Sequence, residues 1–554
     1  MDAEWNVNPD SGPEPLPNFD YKFMQGNSLI ESFDGHDLSR IMDASSPLER
    51  GAAGRRGMSK AGWAENQTGM EFGSDEVKQN LRNWLKMYFS LTDHKEKAYY
   101  RELINSSVKN YIVQQGIGPA AETRLNAIDP SANKHFFLWH TWFKDIFDNG
   151  GFDIVIGNPP YLESRSPDFQ EELKDSLQKE ISKNRSSEQK HFPRGADLLI
   201  YFFELSFRLL SRSGQSVLIT ENAWLSTDYG KSFQDFLINK CIINGIIDSD
   251  YKYFETADIN TVITFIRNKD KRDMVVPIRF YHSHGNLKDY PCNTLSPRET
   301  ENVSIKQFNS DDKFLASYKW GVIDKSDKRL INIMETLFEK ENRLLSKKVS
   351  IGQGLNITKN NIVYHETHNV VPYFTSEEGP MYVWTESNCF VNPNVASSSR
   401  KKPLLILPRG LGTHFCCINR CGGYSSSYVE IYGNIIEPDI LNIWLFCNSS
   451  LLWLLREVTG RTNLGGGMLK AEATDLRSIP ICYDFKEIDK IANLFHQLTN
   501  YPISTNLVET LDDPYHKAID EIVLSALDLK DEKDYINQQL IKMVSYRMKK
   551  SKNK

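Results

Sequence analysis

Between residues 152 and 281, short runs of β-branched residues alternate with stretches of helical periodicity. No other feature constrains the fold of this chain as strongly. Phe152–Ile156, Ser216–Thr220, Ile242–Ile247, Asn260–Ile266 and Val275–Tyr281 read as strands. Leu198–Leu210 and Lys231–Asn239 read as helices between them. Antiparallel neighbours can be joined by tight turns, whereas helix-long connections carry the chain back to start a parallel strand. The expectation is an α/β layer with a largely parallel sheet, in which Phe152–Ile156 is a strand buried on both faces.

Texture divides the rest of the chain. The first 17 residues read as an entry segment, Asp20–Gln25 as a short strand, and Gly35–Ser74 as a Gly- and Ser-rich surface insertion. Leu81, Leu85, Tyr88 and Phe89 give Asp75–Gln115 a helical period, and Lys134–Phe147 reads as an aromatic helix packed beneath the Phe152 strand. It stops at Asn149-Gly150-Gly151, a helix-ending turn signal. Beyond residue 345 short strand-like runs are punctuated by glycine pairs, and from 485 the helical pattern returns. The expected organisation is an N-terminal segment (1–130), a catalytic α/β domain (131–345), a β-rich recognition domain (346–482) and a C-terminal helical region (483–554).

Composition bounds the function. Hydrophobic residues are 40% and charged residues 25% of 554, which excludes collagen-like, mucin-like and broadly disordered chains. The formal net charge of -6 means that any nucleic-acid contact must use a local basic face. Eight scattered cysteines form no disulfide framework and suit a reducing cytoplasm. The N-terminus lacks a basic region followed by an apolar one, and Leu198–Leu210, with Glu204 and Arg208, is too short to span a bilayer. These readings predict a soluble, cytoplasmic protein.

Chemistry concentrates in Asn158-Pro159-Pro160-Tyr161, which follows the Phe152 strand and Gly157. Such a turn can simply end a strand, because proline fixes φ. Its place at the carboxyl end of a parallel strand, where α/β proteins build their sites, favours a functional reading. The Asn158 side-chain oxygen and the Pro159 carbonyl can accept hydrogen bonds from an exocyclic amine. The prolines hold those acceptors still, and Tyr161 offers a ring for a heteroaromatic base.

Gly150-Gly-Phe-Asp-Ile-Val-Ile-Gly-Asn-Pro-Pro-Tyr161 resembles the catalytic motif of N6-adenine DNA methyltransferases, above all the methylase part of type IIG restriction–modification enzymes. The resemblance implies a partial Rossmann-like methyltransferase sheet, then a β-rich target recognition domain and C-terminal helices. It implies S-adenosyl-L-methionine as cofactor, double-stranded DNA as partner and extrusion of the target adenine. Leu16–Ile30 resembles the segment that contacts the cofactor adenine, giving Asn27, Ser28 and Leu29. Ala196–Glu204 resembles the helix lining the cofactor pocket, with Asp197 at its start. Tyr253–Thr264 resembles the motif whose aromatic stacks on the flipped base, here Phe254.

The family's Gly-rich cofactor loop and ribose-binding acid find no match upstream of Asn27, and no credible PD…ExK nuclease is present. The chain therefore reads as the C-terminal part of such an enzyme, either a complement to an upstream polypeptide carrying the cofactor loop and a nuclease, or a remnant. The alternative is a sequence-specific DNA-recognition subunit, inactive without that partner.

Weaker signals lie downstream. Arg409, Arg420, Arg461 and Lys470 flank Gly-rich turns, and Leu464–Pro480 resembles the end of restriction specificity domains. Arg409, Arg461 and Lys470 are the candidate DNA contacts, weighed against solvated arginines beside turns. The spacing of His414, Cys416, Cys417 and Cys421 does not match a zinc site, so no metal is expected.

Overall fold

The computed structural model describes residues 24–552 except 40, 43–70, 164–165, 167–170, 183–194, 250–253, 255–259, 270–274, 284–302, 339–348, 367, 398, 462–467 and 481–483. The expected entry segment, nearly all of the Asp20 strand, most of the Gly35–Ser74 insertion and the Gly465–Gly467 turn lie outside the described residues. The chain forms two units, residues 1–218 with 265–270, and residues 219–264 with 271–554.

In the first unit the helical stretch predicted over 75–115 is two helices, α1 (Glu71–Ser90) and α2 (His94–Gln114). Asp93 makes the break: its carboxylate accepts from the amides of Lys95 and Glu96, capping α2. The predicted aromatic helix over 134–147 is corrected to two short turns, Trp139–Trp142 and Lys144–Asp148, because Phe143 leaves the helical region at φ -111°, ψ 34°. The expected packing holds: Trp139, Phe143 and Phe147 set their rings 5.3–6.1 Å from Phe152, mostly edge-to-face.

Strand β1 (Phe152–Gly157) pairs in parallel with β2 (Leu210–Glu221), which follows directly from helix α3 (Leu198–Leu209). The register slips between Phe152, opposite Leu210, and Ile154, opposite Gln215. The predicted Ser213-Gly214 turn is absorbed into this irregularity within β2. Burial of β1 on both faces is not observed. Ile154 is 66% and Ile156 78% exposed, so the face these alternate residues share is left largely uncovered there; β1 also lies at the end of the sheet order and pairs, among the described residues, on one side alone.

In the second unit, α4 (Asp228–Lys240) leads into β3 (Cys241–Ser249), followed by β4 (Thr261–Asn268, whose residues from 265 on are counted with the first unit), β5 (Pro277–Ser283) and β6 (Val303–Asn309). The order is β4-β3-β5-β6, with β3 and β5 parallel and β6 antiparallel. The predicted β-rich texture after 345 is present as a four-stranded and a five-stranded sheet built between Ser350 and Tyr432. Helices α5 (Glu437–Cys447), α6 (Ser450–Thr459) and α7 (Lys533–Lys552) follow. Helix α7 is tied to α6 by Arg547, whose guanidinium donates at 3.0 Å to the buried carboxylate of Glu457. Among the described residues no single helix is long and apolar enough to cross a membrane.

Two adjacent glycines fix how β1 begins. Gly150 and Gly151 have φ +101° and +116°, values that favour glycine. A Cβ on Gly151 would also lie 2.8 Å from backbone atoms of Leu209, Leu210 and Ser211, whereas one on Gly150 would meet nothing within 4 Å. Gly151→Ala is therefore expected to lose more stability than Gly150→Ala by about 1–3 kcal/mol, measured by urea denaturation. Equal losses would contradict the close approach of β1 to the α3–β2 junction.

Candidate functional site

Beyond Gly157 the β1 strand has no further partner residue in β2, and the chain turns through Asn158-Pro159-Pro160-Tyr161. Pro159 is buried, Asn158 and Pro160 are exposed, and Tyr161 is half-buried. The turn is held at both ends. Leu162 donates its amide to the Pro160 carbonyl at 3.0 Å, and its own carbonyl accepts from the Leu198 amide at 3.1 Å. That bond joins the loop to the first turn of α3, directly after Asp197, which is buried at the N-cap with extended backbone. The sequence-predicted residues Asn158–Tyr161 and Asp197 are thus brought into one neighbourhood.

Within the loop the Tyr161 hydroxyl donates to the Asn158 side-chain oxygen at 2.8 Å. An amide oxygen has two lone pairs, so this bond orients the Asn158 group and leaves one acceptor position open. Exposure of Asn158 keeps that position accessible to a ligand.

Asn27, Ser28 and Leu29 form a tight turn. The Asn27 side chain accepts from the Leu29 amide at 3.3 Å, and its carbonyl accepts from Ile30 at 3.1 Å. Ser28 gives its carbonyl to the Trp139 indole at 2.8 Å. Ser28 and Leu29 line a cavity of about 320 Å³ together with Glu31, Asp37, Trp139, His140, Glu180 and Arg208. Asn27 and Asp197 do not line it.

Sequence reasoning missed the acidic character of this cavity. Glu31 is buried and its carboxylate takes both the amide and Nδ1 of His140, at 2.8 and 2.7 Å. Burial raises the Glu31 pKa, and the His140 contacts oppose that rise without cancelling it. Glu180 accepts from the Ser32 hydroxyl at 3.0 Å. The one available signal was the acid three residues after Ser28, which periodicity cannot distinguish from a solvated charge.

In the second unit Phe254 is half-buried in coil, with its immediate neighbours outside the described residues. The three candidate DNA contacts converge on one carboxylate. Arg409 binds Glu472 through two bonds of 2.6 and 2.8 Å, Lys470 lies 3.1 Å from it and Arg461 3.7 Å. Backbone pairing sets this up: Arg461 and Lys470 exchange two main-chain hydrogen bonds, and Ala471 donates to the Arg409 carbonyl. Arg420 pairs instead with Glu437. His414 pairs with Glu457 at 2.7 Å, and no group of metal-ligating residues occurs among the described residues.

Partial burial alone would raise the pKa of Glu472. Hydrogen bonds and charge from Arg409 and Lys470 outweigh it and hold the group at about 2, against an ordinary 4.5. A depressed carboxylate contributes stability that is fully present above its unfolded pKa and is lost as pH falls through its folded pKa. Glu472→Gln is therefore expected to melt below the wild type at pH 7, with the gap shrinking only as pH falls from about 4.5 towards 2. A gap already closed at pH 5 would contradict the clamp.

Residues 76–254, which include β1, the Asn-Pro-Pro-Tyr loop and Phe254, match the model of the Eco57I restriction-modification methylase family. Among similar curated proteins, the type II methyltransferase M.BstVI of Geobacillus stearothermophilus is 24% identical over 245 residues, 43% of this chain and 41% of that protein. The type II restriction enzyme and methyltransferase RM.Eco57I of Escherichia coli is 24% identical over 230 residues, 39% of this chain and 20% of that protein. The chain therefore spans less than half the length of these relatives. Among solved structures, a nuclease-deletion mutant of the Type ISP restriction-modification enzyme LlaGI, in complex with a DNA substrate mimic, superposes with a TM-score of 0.36 at 9% identity. That match covers 87% of this chain and 61% of LlaGI. The type IIG restriction endonuclease BpuSI gives 0.32 at 11% identity, over 82% and 59%. Over residues 76–254, less than half of its length, the chain is thus similar to the Eco57I family of restriction-modification methylases.

Proposed function

We propose that this chain carries the catalytic loop and the DNA-recognition part of a methyltransferase that modifies the N6 amine of adenine in duplex DNA. It would act in the cytoplasm as part of a restriction–modification system. The observation that carries this reading is the Asn158–Tyr161 loop, anchored to α3 at the carboxyl end of β1, with an oriented and exposed amide oxygen.

Asn158 would accept one amine hydrogen on its open lone pair while Tyr161 holds the other, and the Pro159 carbonyl would accept the second hydrogen. Both acceptors orient the amine's lone pair outwards, so most of the rate gain comes from positioning and fixed dipoles. Phe254 would stack on the extruded ring, a contact worth roughly 1–3 kcal/mol. The cavity lined by Ser28, Leu29, Glu31, Asp37 and Trp139 suits a ligand with hydroxyls, a positive charge and an aromatic heterocycle. Those features fit S-adenosyl-L-methionine, which supplies the methyl group when bound. Asn27 and Asp197 would then act from outside that cavity's lining.

A second reading, DNA recognition by a chain that needs a partner polypeptide for cofactor binding, is favoured by the convergence of Arg409, Arg461 and Lys470. Three cations on one carboxylate leave a local surplus of two charges for phosphate.

The test is transfer of radiolabelled methyl from S-adenosylmethionine to mixed-sequence duplex DNA. Label is expected in N6-methyladenine, with the upstream polypeptide added where the chain alone is silent. Asn158→Ala is expected to lower transfer about 10²–10³-fold. Label in another base, or unchanged transfer by the variant, would overturn the first reading. DNA binding by the chain alone without binding of S-adenosylmethionine would support the second.

A further inference from the structure

The second unit contains a cavity of about 580 Å³ that the proposed chemistry does not use. It opens at the carboxyl ends of β3 and β5. Pairing places Asp248 beside His282 and His282 beside Ser304, a polar row across β3, β5 and β6. The opposite wall is one face of α7, formed by Gln539, Lys542, Met543 and Tyr546. These positions follow the i, i+3, i+4, i+7 spacing of a single helical stripe. The Arg547–Glu457 pair fixes that stripe, since it docks α7 on α6.

The wall carries charges of both signs, with a formal surplus of cations. Lys306, Lys325, Arg461 and Lys542 line it, against Asp248, Asp327 and Glu457. Of these acids Glu457 is offset by Arg547, while Asp248 and Asp327 accept from neutral amides and a hydroxyl and keep their charge, so the positive surplus is small and is presented chiefly by exposed Lys542. Lys542 is exposed and makes no ion pair among the described residues. Two polar groups in the wall are buried without a hydrogen-bond partner, Nε of Arg461 and the hydroxyl of Ser326, which is 1% exposed. Buried polar groups are normally satisfied, so an orphaned donor and hydroxyl in one cavity indicate a ligand that completes them. Tyr546, 43% exposed, adds a ring and Met543 and Leu225 add apolar surface.

The geometry points to a binding site for a single nucleotide. Its phosphate would lie against Arg461 and Lys542, with Ser326 donating to it, and its base would stack on Tyr546. The volume falls within the roughly 300–1,000 Å³ usual for ligands of this size. Only the choice between a nucleotide of DNA and a free nucleotide rests on the proposed function.

The probe is thymidine 5′-monophosphate, titrated calorimetrically into the full chain, since it has no exocyclic amine for the Asn158 loop to hold. One saturable site is expected, with thymidine and inorganic phosphate each binding more weakly. Lys542→Gln is expected to weaken binding about tenfold and Tyr546→Ala by a similar factor, while Asn158→Ala leaves it unchanged. Ser326→Ala, which only deletes a buried unpartnered hydroxyl, is expected to keep the melting temperature and still weaken binding. Competition by duplex DNA would identify the ligand as a nucleotide of the DNA strand, and additive binding a free nucleotide. No saturable binding, or binding indifferent to the Lys542, Tyr546 and Ser326 variants, would overturn the site. Loss of this site with methyl transfer intact leaves the proposed function standing, and the converse result separates them equally well.

Discussion

The candidate site depends on how β1 meets β2. Parallel pairing brings Ile154–Gly157 alongside Gln215–Leu218, and the slip near Phe152 absorbs the extra residues of β2. The pairing is possible only because Gly151 and Gly214 lack side chains. A Cβ on Gly214 would lie 2.4 Å from the Phe152 carbonyl, and one on Gly151 would run into the α3–β2 junction. Backbone is therefore packed against backbone at the root of the strand. Beyond the strand, the Leu162–Leu198 bond fixes the loop to α3, so the Asn158 amide is carried on rigid elements at both ends.

Electrostatics organises the second unit in two contrasting ways. At Glu457 the charge is buried: His414 and Arg547 surround it, and their hydrogen bonds and charge, His414 first, offset its desolvation and keep the carboxylate ionised. The result is structural, the docking of α7. At Glu472 the cluster is partly exposed and carries more cations than anions. Its cost of desolvation is smaller and its surplus charge faces solvent, which suits reversible contact with phosphate.

Much of this was legible in the sequence. The period-2 and period-3.6 patterns located β1, β3 to β5, α3 and α4 within a few residues, because side-chain burial imposes those periods, whereas β2 starts at Leu210 and runs through the expected Ser213-Gly214 turn. Two expectations failed for physical reasons. Lys134–Phe147 has helical composition, yet Phe143 breaks it so that Trp139, Phe143 and Phe147 can all reach Phe152. Phe152–Ile156 has the apolar run of a buried strand, yet the face carrying Ile154 and Ile156 is left uncovered.

The sequence by itself determined the candidate tetrapeptide Asn158–Tyr161, its place after a strand and the family it resembles, since these rest on residue identity and local spacing. Only the tertiary structure decided what those residues touch. It turned the Tyr161 hydroxyl onto Asn158 and gathered Arg409, Arg461 and Lys470, 61 positions apart at the extremes, around Glu472. It also aligned Asp248, His282 and Ser304 in one row. The physical reason is that hydrogen bonds and ion pairs act over a few ångströms, and separation along the chain does not fix separation in space.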